Sequence, residues 1–180
     1  MLAEIFDDAR RFIIPRRKFG SSFSYFICNL VLLFFQEGFV AILFFRFAHM
    51  LARAGCFPVA FVISKIALFI TGIYINPDTS IGKGCKLNHA GSTIRAESIG
   101  EHAEITGNVT IGELRPLDDH CPDIGHHVYI GAGAKIFANL GNHVIVGANA
   151  VVTRDVPDNC VVCGVPAQIV KETPDVTENP

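Results

Sequence analysis

The side chains that could do chemistry are mostly histidines and cysteines, and their spacing keeps them apart. The chain of 180 residues holds 7 His and 6 Cys. Histidine is the side chain able to take a proton from a hydroxyl near neutral pH. His89 follows directly on an apolar position in Asn88-His89-Ala90, beside a predicted turn. Spacing alone leaves it open whether it is a base or ordinary surface. His126 and His127 are neighbours, so on a strand they leave opposite faces and cannot both face one metal. Among Cys28, Cys56, Cys85, Cys121, Cys160 and Cys163, only the last two form a CxxC pair, and no second pair stands at zinc-site spacing. They sit in a valine-rich run and read as small buried apolar residues. No metal is expected.

The element that must position His89 is a repeat. From Ile75 apolar residues recur every sixth position: Ile75, Ile81, Leu87, then the polar Thr93, then Ile99, Ile105 and Ile111. A glycine often follows, as in Ile81-Gly82, Ile99-Gly100, Ile130-Gly131 and Val146-Gly147. A period of six fits neither a helix nor a simple alternating strand. It describes a short strand plus a turn, three of which close one coil with the aliphatic residues inward. The register slips between Ile111 and Ile124, where 112–123 reads as a loop leaving the coil, and between Ile136 and Val146, where a turn is tightened. The last recognisable repeat is Val146 to Val151, and Cys160 to Val170 should close the coil.

Composition divides the chain at the same place. Fourteen of 15 Phe lie in residues 1–74 and twelve of 16 Gly after them. Residues 1–75 carry eight Lys/Arg against four Asp/Glu, a net of +4, and the rest seven against thirteen, a net of -6, summing to -2. That near-neutral total gives no reason to expect a nucleic-acid partner. The expected organisation is an apolar, basic helical region over 1–74, a β-helix over 75–171 and a polar tail over 172–180. Residues 3–12 read as a short amphipathic helix, followed by the basic Pro15-Arg16-Arg17-Lys18. The stretch from Phe23 to Phe47 is interrupted by Ser24, Asn29, Gln36, Glu37 and Gly38, and Val59 to Ile73 by Ser64 and Lys65. Neither matches the roughly 20 apolar residues of a spanning helix. No cleavable signal is expected either. These helices are expected to pack on each other and on neighbouring subunits, or to lie on an anionic membrane surface. The expected location is the cytoplasm, where the thiols stay reduced, with the inner face of the membrane as the peripheral variant.

Taken together, several runs resemble the hexapeptide-repeat acyltransferases of the serine acetyltransferase branch. They are Arg46-Phe47-Ala48-His49, Phe69-Ile70-Thr71-Gly72-Ile73-Tyr74-Ile75-Asn76-Pro77, Ile81-Gly82-Lys83-Gly84, Asn88-His89-Ala90, Val109-Thr110-Ile111-Gly112, Ile130-Gly131-Ala132-Gly133-Ala134-Lys135-Ile136 and Gly164-Val165-Pro166-Ala167. The resemblance implies a mainly β fold, a left-handed parallel β-helix preceded by the apolar helices. It also implies a homotrimer, and acetyl-CoA as donor in a groove between adjacent β-helices. His89 matches the family's catalytic histidine. Acetyl transfer to a hydroxyl needs a base, whereas the CoA thiolate leaves without a strong acid.

The departures gather where the acceptor should sit. Tyr74 replaces an acid that orients the catalytic histidine, Asn76 a histidine, and Asn88 a second acid. The loop reads Asp119-His120-Cys121-Pro122, so Cys121 stands at a second active-site histidine's place unless His120 slips into it. The terminal Glu178-Asn179-Pro180 lacks the isoleucine tail with which family members dock the next enzyme of cysteine synthesis. These changes, and an apolar region suited to a membrane-bound acceptor, favour a saccharide hydroxyl in surface polysaccharide synthesis over serine. A non-catalytic β-helix scaffold is the remaining alternative. For the donor, Ala132 and Ala148 match turns that line the pantetheine arm, and Arg154 and Lys171 are the nearest cations for its phosphates.

Overall fold

The computed structural model describes residues 2–13, 36–114 and 121–172. Three helices come first: α1 (Leu2–Phe12), α2 (Glu37–Arg53) and α3 (Phe57–Thr71). None of them is long and apolar enough to cross a membrane. The expected helix over 3–12 is α1, while the basic turn Pro15-Arg16-Arg17-Lys18 lies outside the described residues. Gly72 ends α3 in the left-handed region, φ 68°, a conformation glycine adopts without steric cost.

A parallel solenoid follows. Face A carries β1 (Tyr74–Ile75), β4 (Thr93–Ile94), β7 (Thr110–Ile111), β10 (Lys135–Ile136) and β12 (Val151–Val152). Face B carries β2 (Ser80–Ile81), β5 (Ser98–Ile99) and β8 (Asp123–Ile124), continued by bridges through Leu140 and Val156. Face C carries β3 (Lys86–Leu87), β6 (Glu104–Ile105), β9 (Tyr129–Ile130), β11 (Ile145–Val146) and β13 (Cys160–Gly164), closed by the antiparallel β14 (Ala167–Glu172). Each short strand points its second residue inward. The core is therefore three aliphatic columns: Ile75-Ile94-Ile111-Ile136-Val152, Ile81-Ile99-Ile124-Leu140-Val156 and Leu87-Ile105-Ile130-Val146-Val162, all buried.

Two expectations are corrected here. The inward residue of the fourth strand is Ile94 and not Thr93, which is exposed. The turn after Leu87 has one residue more than its neighbours, and the turn from Ile94 to Ile99 has one fewer, so the average period hides the shift. The repeat also runs beyond Val151. Ile136 to Leu140 and Val152 to Val156 are four-residue steps, which carry the coil on to Val162.

The helices are tied to the first coils by one buried ion pair. The Arg46 guanidinium meets Asp8 with N···O distances of 3.1 and 3.5 Å, and donates to the carbonyls of Ile81 and Gly82. Asp8 also accepts from the Cys85 amide at 3.0 Å. Burial pushes the Asp8 carboxyl up, and Arg46 acts against that shift. Gly38 lets α2 rest directly on β3, since a Cβ there would lie 1.8 Å from the Leu87 carbonyl oxygen. His49 Nδ1 lies 2.8 Å from the Pro77 carbonyl oxygen. Arg46 and His49 from the Arg46-Phe47-Ala48-His49 run thus join helix to solenoid.

Candidate active site

His89 stands on the corner where face C turns into face A, and the solenoid departs from its own repeat there. The corners after Ile105, Ile130 and Val146 each place a single left-handed residue, Asn108, Gly133 and Asn149. The corner after Leu87 has an extra residue and two left-handed positions, His89 (φ 65°) and Gly91 (φ 89°). His89 is exposed, and its imidazole has no hydrogen-bond partner among the described residues.

The corners are stacked by main-chain bonds. Gly91 donates to Gly72, Asn108 to Ala90, Gly133 to Gly107 and Asn149 to Ala132, at 2.8–3.2 Å. Gly107 sits directly against His89, where a Cβ would come within 2.9 Å of the histidine Cβ. Ala132 and Ala148, both exposed, follow on the next two corners. With about 4.8 Å between neighbouring strands, Ala148 lies about 14 Å from the His89 level. The edge below the histidine is therefore a strip of small residues, Gly107 buried and Ala132 and Ala148 exposed.

The other expected site residues are distributed around face A. Tyr74 lies on its outer side, paired with Thr93. The Lys65 ammonium sits 4.4 Å over its ring, and burial pushes its phenol up. Asn76 lies on the opposite margin, the corner from A to B, and its Oδ1 accepts from the Asp78 amide at 3.2 Å. Cys121 is on that margin too, half-buried, with its thiol raised by burial. Asp119 and His120 lie outside the described residues. Arg154 is exposed on the A-to-B corner of a later coil, and Lys171 on the closing hairpin opposite Val161. Neither cation shares the edge of His89, Ala132 and Ala148.

Asn88 turns to face C. Its Nδ2 donates to Glu104 Oε1 at 2.9 Å on face C, and Glu104 also meets Lys86 at 3.3 Å and Arg11 at 3.4 Å. Glu104 thus braces the residue before His89 and links it to α1. Only the pairing of Lys86 with Glu104 follows from the repeat, one full coil of 18 residues apart. A second unanticipated pair, Arg95 with Glu113, lies beside Cys121, whose Sγ is 4.0 Å from Glu113 Oε1. It borders a cleft of about 360 Å³ that also includes Thr93, Thr110, Leu114 and Phe137. The spacing of Glu113, inside the expected loop, carried no signal for it.

Three histidines form a ladder on the corner from B to C. His102, His127 and His143, all at positive φ, stack with ring centroids 5.1 and 5.0 Å apart. Burial, then His143 and His102, hold the His127 imidazole below its usual value. Stacked rings present faces to one another and not converging nitrogens. His126 turns elsewhere, its Nδ1 accepting from the Glu101 amide at 3.1 Å. Among the described residues no group of three or more His, Cys, Asp or Glu is placed to hold a metal. Of the CxxC pair, Cys160 is buried as expected, but Cys163 is exposed, because positions three apart on a strand face opposite ways.

No family model matches the chain. A serine acetyltransferase from Synechocystis sp. is 38% identical over 146 residues, which cover 78% of this chain and 59% of that protein. The chain thus spans about three-fifths of the length of this curated relative. Soybean serine acetyltransferase complexed with serine overlays with a TM-score of 0.79 at 32% identity, covering 93% of this chain and 68% of that one. Serine acetyltransferase from Brucella abortus in complex with coenzyme A overlays with a TM-score of 0.80 at 29% identity, covering 96% and 68%.

Proposed function

We propose, for a chain that belongs to the serine acetyltransferase branch of the hexapeptide-repeat acyltransferases, an acetyl-CoA-dependent transfer of acetyl to a hydroxyl, with His89 as the general base. The fold of that branch, a left-handed parallel β-helix, is the fold of this chain. One observation carries the proposal: among the described residues, the one corner of the face C to face A edge with an extra residue holds His89, and the edge continues as the small-residue strip through Gly107, Ala132 and Ala148. An extended pantetheine arm laid along that strip brings its thioester to the histidine. The imidazole takes the proton from the acceptor hydroxyl as its oxygen attacks the thioester carbonyl. The tetrahedral oxyanion collapses, the C–S bond breaks, and the CoA thiolate leaves and takes up the proton held by the imidazolium.

For the acceptor, the relatives reverse the order reached from sequence. Those reported above are serine acetyltransferases, and one neighbour holds serine. Serine is therefore the acceptor proposed, ahead of the saccharide. The saccharide reading retains one observation, the replacement of the orienting acid by Tyr74 beneath Lys65. Assembly as a homotrimer is part of the proposal. His89 and the Asn76–Cys121 margin flank face A on opposite sides in one chain, and an adjacent subunit can complete either side.

CoA-thiol release from acetyl-CoA, compared for the wild type and His89→Ala with serine, simple sugars and a lipid-linked glycan, tests this. Release with serine that disappears in the variant is expected. Release with a glycan alone would give the saccharide reading precedence. No release with any acceptor, together with no binding of acetyl-CoA, would leave the scaffold.

A further inference from the structure

Helix α3 is built inside out. It turns Ala60, Ser64, Ala67 and Thr71 inward and leaves most of its large apolar side chains in the open, Ile63 and Leu68 being half-buried. Phe61, Val62, Ile66, Phe69 and Ile70 are all exposed, Phe69 by 92%. A surface helix ordinarily does the reverse. The buried Ser64 hydroxyl has no hydrogen-bond partner among the described residues. An apolar groove of about 540 Å³ runs along the outward face, with Lys65 among its lining residues. Lys65 is the only charge on α3, and its ammonium lies over the rings of Phe61 and Tyr74 at 5.0 and 4.4 Å. The neighbouring charge is Arg53, exposed in the last turn of α2. From Arg53 to Thr71 there is no acidic residue.

We propose that the outward face of α3 docks on an anionic lipid bilayer, with Phe69 and its neighbours in the acyl boundary and Arg53 and Lys65 at the headgroup phosphates. The helix has 15 residues, about 22 Å, too short for the roughly 30 Å hydrocarbon core, so it lies on the membrane. A second copy of the chain fits the patch less well. A twofold contact would set the patch against itself and bring the Lys65 ammoniums of both copies together, each already lying over its own Phe61 and Tyr74 rings. The patch reaches Tyr74 through Lys65, so docking sets face A beside the lipid surface. This inference does not depend on the identity of the acceptor.

The test is sedimentation of the full chain with phosphatidylcholine vesicles, with and without phosphatidylglycerol. Binding is expected to the anionic vesicles and to weaken with salt. Val62→Ser/Phe69→Ser should lower partitioning about tenfold or more, while the unfolding midpoint and solution mass remain those of the wild type. Arg53→Ala should weaken the phosphatidylglycerol-dependent part about fivefold. Absence of sedimentation with both vesicles overturns the proposal. So does a double variant that binds vesicles like the wild type but has a changed mass in solution, which would assign the patch to a second copy. Thiol release with soluble serine, measured without vesicles, reports on the proposed reaction alone, so either reading can fail without the other.

Discussion

The solenoid and helix α3 handle the same kind of side chain in opposite ways. In the solenoid every large aliphatic of the three columns points inward, and Ile94, Ile105, Ile130 and Ile136 are wholly removed from solvent. In α3 most of the large apolar residues point outward and the small ones inward. Apolar content therefore says nothing by itself about where a core is. In the repeat half the side chains hold the coil together. In the helical half α2 joins that core through Ala41, Ile42 and Phe45, beside the buried Arg46–Asp8 pair, while the outward apolar residues of α3 take no part in it.

That contrast can be broken at its join first. Asp8→Ala leaves the buried Arg46 guanidinium with the exposed Glu4 carboxylate 3.8 Å away in place of Asp8, and should cost about 3–5 kcal/mol in urea unfolding. A loss below about 1 kcal/mol would mean that the packing of Ala41, Ile42 and Phe45 holds the helices without the pair. Next comes a direct comparison of the two kinds of apolar residue. Ile105→Ala should cost about 2–5 kcal/mol, and Phe69→Ser within about 0.5 kcal/mol, although phenylalanine is the larger side chain. Equal costs would show that α3 packs in solution as the solenoid does.

A smaller effect is expected at the brace of the His89 turn. Glu104→Ala should lower kcat about tenfold with little change in KM, and Glu104→Gln, which can still accept from Asn88, should recover most of it. Equal loss in both variants would assign Glu104 to charge and not to positioning.

The smallest effect concerns the histidine ladder. The His127 imidazole is held below its ordinary 6.5, so the unfolded chain takes up a proton at a pH where the folded chain does not. Stability should be flat above about 6.5 and decline as pH falls from there towards the folded value. His127→Asn, whose side chain tolerates the left-handed corner as Asn108 and Asn149 do, should flatten that decline in urea midpoints. An unchanged slope would place the titration elsewhere.

How much of this was legible follows from how local each signal is. The coil was readable because its inward residues recur at short range, from Ile75 to Ile111. Thr93 misled because two compensating errors, a long turn at His89 and a short one after Ile94, preserve the six-residue average. Leu140 and Val156 were hidden by four-residue turns that no fixed period contains. The irregular turn that obscured the register is itself the local mark of the proposed site. Glu104 was invisible as a brace because its partners come from Arg11 and Asn88, distant segments joined only by folding. The facing of α3 was unreadable for another reason: its apolar residues surround the helix, so no stripe distinguishes inside from outside.

The central claim is that the irregular corner carries the base. Thiol release from acetyl-CoA with serine, measured for His89→Ala beside the wild type at matched solution mass and unfolding midpoint, addresses it most directly. The account predicts a fall in kcat of about 10²–10⁴ with acetyl-CoA still bound. A variant that turns over at the wild-type rate would contradict it.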